Sequence, residues 1–170
     1  MTEQQVYRLI EKRDGYELRE YAPVAIASVG ITGDIQNAPN QGFRKLFRYI
    51  STHQIAMTAP VVQTEQGTNQ WLVEFIMPAG STAADLPSGT DIGVEVRQQP
   101  TELLAVASFR GGIGGEKILA KSKELRAELD RVGLNVTGPL QIARFNSPFV
   151  PVPLRYNEIR FPVNQRVDTL

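Results

Sequence analysis

The clearest pattern of apolar positions falls at Phe43, Leu46, Phe47 and Ile50, spaced i, i+3, i+4 and i+7. That spacing lays one stripe along an amphipathic helix over Gly42–Ile50, with Arg44, Lys45 and Arg48 on its flanks. The polar turn Asn37 to Asn40 precedes it and can cap it. Upstream, residues 16–33 read as one or two strands broken at Pro23, alternating most clearly in Val24-Ala25-Ile26-Ala27-Ser28-Val29. Strands follow at about Ile55–Gln63 and Trp71–Met77, and Pro78, Gly80, Pro87 and Gly89 mark a connection. The order then recurs. Strands at about 92–98 and 103–109 lead through the Gly-rich 111–115 into a helix at about 116–132. Strands at about 140–145 and 156–163 complete it.

In the second helix Ile118, Leu125, Leu129 and Val132 share a face, and Gly133 stands where a helix stops. Glu74 and Pro78 precede Glu158 and Pro162 by the same interval. The expectation is a single α+β domain over residues 1–170, with an internal pseudo-repeat at about 16–78 and 92–163. Its duplicated units form an antiparallel sheet of about eight strands, distorted and barrel-like, flanked by two helices.

Composition changes the picture mainly by exclusion. A chain of 170 residues with 42% hydrophobic residues can bury a core. Eighteen basic and eighteen acidic residues cancel, which argues against a nucleic-acid binder. There is no cysteine, so disulfides, thiolate metal sites and a cysteine nucleophile are excluded. Met1 to Arg13 is polar and charged, without the apolar core of a signal peptide, and no apolar run is long enough to span a membrane. A cytoplasmic protein without membrane insertion is the expectation. Catalytic patterns are missing: His53 is the sole histidine, and Gly111 to Gly115 fits neither a dinucleotide fingerprint nor a P-loop. That stretch reads as a turn into a helix, with Lys117 close to the helix start.

Several short segments carry a family resemblance. Met57-Thr58-Ala59-Pro60-Val61, after a helix ending Tyr49-Ile50, reads physically as a strand start, where proline is tolerated. It resembles the signature of the SOUL/haem-binding protein family. Tyr16-Glu17-Leu18-Arg19-Glu20-Tyr21 is similar to that family's opening Y-E-x-R-x-Y strand, and Gly42 to Ile50 to its first helix. Phe75-Ile76-Met77-Pro78, Phe109-Arg110-Gly111-Gly112, Phe145-Asn146-Ser147-Pro148 and Asn157-Glu158-Ile159 resemble later segments in the same order. The resemblance spans about residues 15 to 163.

It implies a non-enzymatic protein that binds haem or another tetrapyrrole in an apolar groove beside the first helix, as carrier, buffer or sensor. Phe43, Phe47 and Phe149 would supply apolar surface, with Val150 and Val152 beside Phe149 at the groove's lip. Arg44 and Arg48 would pair with the propionates. Some vertebrate members carry a histidine in the Y-E-x-R-x-Y strand that is linked to haem ligation; here that position is Glu20. His53 is then the imidazole left as an axial ligand, against its ordinary reading as an exposed residue at a helix end. Met57 and Met77 are thioethers that more often fill a core. Ligation is not needed for affinity, since burying about 300 Å² of macrocycle gives about 7 kcal/mol before association costs. The alternative is a GyrI-like small-molecule effector-binding module without haem. There a buried acid, Glu74 or Glu158, would favour a cationic ligand.

Overall fold

The computed structural model describes residues 2–112, 114–147 and 149–165. Its first half holds β1 (Glu3–Gln4), β2 (Tyr7–Arg13), β3 (Tyr16–Tyr21), β4 (Val24–Thr32), α1 (Ala38–Thr52), β5 (Thr58–Ala59), β6 (Val61–Gly67) and β7 (Gln70–Ile76). The second holds β8 (Glu95–Gln99), β9 (Glu102–Arg110), α2 (Gly115–Val132), β10 (Leu134–Val136), β11 (Gln141–Arg144) and β12 (Tyr156–Gln165). Ten strands form one curled antiparallel sheet in the order β2-β3-β9-β12-β11-β6-β7-β4-β8, with β10 on β12. β1 and β5 make a separate parallel pair. The sheet is an open half-barrel, so the α+β expectation holds while the strand count exceeds about eight. β6 and β11 pair at the centre, with β7 and β4 on one side and β12 and β9 on the other.

Most of the excess strands are ones that carry little apolar signal. β2 is exposed or half-buried at every position, because it is a sheet edge, yet it closes a hairpin on β3. The two-residue turn Asp14-Gly15, with Gly15 at φ 88°, provides the positive φ that such a hairpin requires.

Period-2 alternation divides the sheet into two faces. Trp71, Val73 and Phe75 of β7, and Ile159, Phe161 and Val163 of β12, join the main core on the helix side. Their neighbours Leu72, Glu74 and Ile76, and Glu158, Arg160 and Pro162, point to the opposite face. α1 packs on β4 and β7, and α2 on β10 and β12. Among the described residues no helix is long and apolar enough to cross a membrane.

The buried face of α1 differs from the expected stripe. Ala38, Pro39, Gly42, Leu46, Tyr49 and Ile50 are buried, whereas Phe43 and Phe47 are exposed. The cause is Gly42. A Cβ there would lie 2.4 Å from the Cβ of Val73, so the helix meets the sheet backbone-first at this point. The contact turns the helix until Gly42, Leu46 and Tyr49 face inward, and the two phenylalanines move to the side. α2 buries Ile118, Ser122, Leu125 and Leu129 and ends at Gly133, whose φ of 84° makes glycine the apt residue.

Gly42→Ala tests this contact. Alanine favours a helix by about 1 kcal/mol, but overpacking against Val73 opposes it, for a net loss of about 1–2 kcal/mol. Gly30→Ala in β4, with nothing within 4 Å of the added carbon, is the control and should leave stability unchanged within about 0.5 kcal/mol. Urea midpoints of the two variants check the difference.

Candidate functional site

Two surfaces bear chemistry, one on the helix side and one on the opposite face. On the first, the rings of Phe43 and Phe47 stack 5.7 Å apart and 13° from parallel, with 38% and 48% of the two residues exposed. Phe43 also packs edge-on against buried Phe75 at 5.4 Å, which anchors the pair to the core. Arg44 and Arg48 are exposed on the same helix, and neither forms an ion pair or hydrogen bond among the described residues. The result is a flat apolar platform beside two free guanidinium groups.

Phe149 is 95% exposed, and no ring contact joins it to Phe43 or Phe47. Its loop is tied to the end of β9 instead. Gly111 N–H donates to the Arg155 carbonyl, Arg110 Nη1 donates to the Leu154 carbonyl, and Val152 packs on Gly112. Val150 is half-buried in the same loop. Pro148 and Ile113 lie outside the described residues. Lys117 turns its ammonium onto the Arg110 carbonyl and over the Phe109 ring, so it is committed to the fold.

Haem would need a planar apolar surface, partners for its propionates and a ligand for its iron. The platform and the two arginines meet the first two needs. The third is unmet. His53 is the exposed C-cap of α1, edge-on to the Tyr49 ring, about 9 Å beyond Phe47 along the axis and about a third of a turn around it. Met77 is buried in the core and Met57 packs against it. Among the described residues no group of three or more metal-ligating side chains comes together. The side chains present suit the macrocycle and its carboxylates, not its iron.

The opposite face holds two adjoining cavities of about 330 and 310 Å³ that share Gln5 and Arg160. In the first, Glu158 sits between two buried arginines. Arg19 Nη1 donates to Oε2 at 2.8 Å, and Arg160 donates through Nε and Nη2 to Oε1 at 2.9 and 2.6 Å. The Tyr156 hydroxyl donates to Oε2 at 2.7 Å. Burial would push the Glu158 carboxyl up, but the Arg160 charge, the Tyr156 hydroxyl and Arg19 outweigh it and hold the group below the usual carboxylate range.

Glu74 lies in the second cavity. Thr64 donates to its Oε1 at 2.5 Å, while Oε2 accepts no hydrogen bond among the described residues. Arg97 Nη2 comes within 2.6 Å of that oxygen off the N–H direction, and its side chain is 41% exposed. Apolar walls from Ile26, Val62, Leu72 and Leu104 surround the carboxylate. Glu102, in the same wall, is pushed up by burial, with Gln141 lowering it and the Glu74 charge raising it.

Arg160, Arg97, Tyr7 and Tyr156 escaped the sequence reading, since nothing in their spacing marks them. Arg19 stands out in the sequence only as part of a motif, whereas Glu158 is also one of the two acids expected to draw a cationic ligand, and its arginine partners already neutralise it. The structure joins those motifs: the strand Tyr16–Tyr21 and the segment Asn157–Ile159 meet through the Arg19–Glu158 pair.

Two helices on one side of a curled antiparallel half-barrel recur in several solved structures. The EcmrR C-terminal domain is similar at TM-score 0.65 and 14% identity, over 95% of this chain and 99% of that one. EcmrR in its DNA complex gives 0.69 and 11%, over 89% and 57%. A protein of Listeria innocua described as a hydrolase gives 0.59 and 12%, over 91% and 94%. Identities this low show a shared fold and nothing more. By sequence, the SOUL heme-binding protein family matches residues 2–162, and the chain belongs to that family. No curated protein matches it by sequence.

Glu158→Gln leaves two buried guanidinium groups short of counter-charge, and about 3–5 kcal/mol of stability should be lost at neutral pH. Because the folded carboxyl titrates low, the wild-type contribution is fully present above the ordinary value of about 4.3 and fades as pH falls through the folded value. The gap between wild type and variant therefore narrows in acid. Urea unfolding of both proteins at several pH values measures it; a gap independent of pH would contradict the assignment.

Proposed function

We propose that this chain is a non-enzymatic tetrapyrrole-binding protein, a carrier, buffer or sensor, that holds its ligand against the outer surface of α1. Membership of the SOUL heme-binding protein family supports the ligand class. The observation that carries the location is the near-parallel, half-exposed Phe43–Phe47 pair beside free Arg44 and Arg48.

The chemistry is binding. A planar macrocycle covers the two rings and removes apolar area from water. Arg44 and Arg48 offer their forks to the propionates, which adds direction to a contact that burial alone leaves loose. Haem iron, when present, would bring redox and ligand chemistry of its own, and no residue of the platform is placed to tune it. Recognition therefore rests on the ring and its carboxylates.

Hemin should give a saturable Soret change and quench Trp71, the sole tryptophan, which is buried on the helix side. Metal-free protoporphyrin IX should match hemin within about threefold, since burial and propionate pairing are common to both. F43A/F47A should weaken both by about tenfold or more, and Arg44→Ala or Arg48→Ala by a smaller factor. Hemin affinity that protoporphyrin cannot approach, or a double variant that binds unchanged, would overturn the reading.

A second reading has its own observation. Glu74 carries a buried carboxylate oxygen without a hydrogen bond, in an apolar cavity whose nearest counter-charge is the half-exposed Arg97. An organic cation that displaces Arg97 would make this an effector-binding site of the GyrI-like kind. A lipophilic cation that raises the melting temperature of wild type but not of Glu74→Gln would support it.

A further inference from the structure

We propose that the cavity around Glu158 is a second ligand site, and that it takes a small molecule with an anionic head, a carboxylate or phosphate, on an aromatic body. A buried glutamate in a cavity suggests a cation site at first sight, but here the carboxylate is already neutralised. Both its oxygens accept from Arg19, Arg160 and Tyr156. An incoming cation would have to break that cluster.

The charge count points the other way. Arg19, Arg110 and Arg160 line the cavity against Glu158 alone. Glu17, outside the wall, pairs with Arg19, and a positive excess remains. The unused polar atoms agree. Arg160 Nη1 makes no hydrogen bond among the described residues. The Tyr21 oxygen accepts from Arg19, so its own proton is free to be donated. Asn146 uses its carbonyl oxygen on the Tyr156 amide and keeps its NH₂. The cavity thus offers donors and cations and no free carboxylate oxygen, which is the arrangement that binds oxyanions.

The walls set the body of the ligand. Tyr7, Tyr21, Phe145 and Tyr156 surround the charges with ring faces and edges. Arg19 lies 4.4 Å from the Tyr7 centroid and Arg160 lies 4.9 Å from that of Tyr21, so the guanidinium planes are held in place before any ligand arrives. A volume of about 330 Å³ is at the small end of ligand pockets and suits one or two rings rather than a tetrapyrrole.

The segments that give the chain its family resemblance also meet here. Arg19 and Tyr21 come from the opening strand, Pro60 from Met57–Val61, Arg110 from Phe109–Gly112, Phe145 and Asn146 from the segment after β11, and Glu158 from Asn157–Ile159. The helix that bears Phe43 and Phe47 contributes nothing to it. The site is therefore independent of the tetrapyrrole platform.

Amide chemical-shift titrations of the full chain with 4-hydroxybenzoate, phenyl phosphate and benzamidinium test the proposal. Both anions should move the amides of Tyr7, Tyr21, Asn146 and Tyr156 saturably at low-millimolar concentration or below, and the tighter one names the head group. Benzamidinium should leave them in place. Arg110 is exposed, so Arg110→Ala should keep a dispersed spectrum and weaken the anions about tenfold, with Arg110→Lys between it and wild type. Hemin affinity should not change in either variant, which separates this site from the platform. The proposal is overturned if benzamidinium moves the same amides as tightly, if neither anion does, or if Arg110→Ala binds them as wild type does.

Discussion

The approach of Gly42 to Val73 decides what this protein presents to its surroundings. A helix with apolar residues at 42, 43, 46, 47, 49 and 50 has more apolar surface than one contact with a sheet can hide. Without a Cβ at residue 42 the axis settles against β7 on the Gly42–Leu46–Tyr49 side. Phe43 and Phe47 are left at the margin, one resting on Phe75 and the other stacked on it. The platform is a by-product of close packing, and its rigidity comes from the same core. Flat, fixed apolar surface of this kind loses little conformational entropy when a planar ligand covers it.

The other face of the sheet solves a different problem. Among the described residues no helix covers it, yet alternation places Glu74, Glu158, Arg19 and Arg160 there, each less than a tenth exposed. Buried charge is tolerable only when paired and hydrogen-bonded. Around Glu158 the pairing is complete and exceeds neutrality on the positive side. Around Glu74 it depends on one half-exposed arginine reaching in from β8. Two buried carboxylates, one on β7 and one on β12, thus face unlike surroundings. The fold supplies the frame, and the arginines around each carboxylate choose the chemistry.

Much of this architecture was legible in the chain. Alternation in Val24–Val29 and the periods of both helices placed β4, α1 and α2, and Gly133 marked a helix end to the residue. β2 was not legible, because a solvated edge strand has no apolar rhythm, and its one local signal, the turn dipeptide Asp14-Gly15, went unread. The exposure of Phe43 and Phe47 was hidden as well, since spacing alone joins them to Leu46 and Ile50. It takes the contact between a glycine and a valine thirty-one residues apart to show otherwise. The Arg19–Glu158–Arg160 cluster was equally out of reach, for it depends on β3 and β12 both lying beside β9. The signal that existed was the pair of motifs containing Arg19 and Glu158, which resemblance recorded and topology explains.

The tetrapyrrole is proposed to lie on the outer surface of α1, away from the charged face of the sheet. Paramagnetic broadening of backbone amides by bound hemin maps this directly, because the effect falls steeply with distance from the iron. Loss of signal should centre on Phe43 to Arg48, with Arg19, Arg110 and Glu158 spared. Broadening centred on those last residues, with α1 untouched, would contradict that placement.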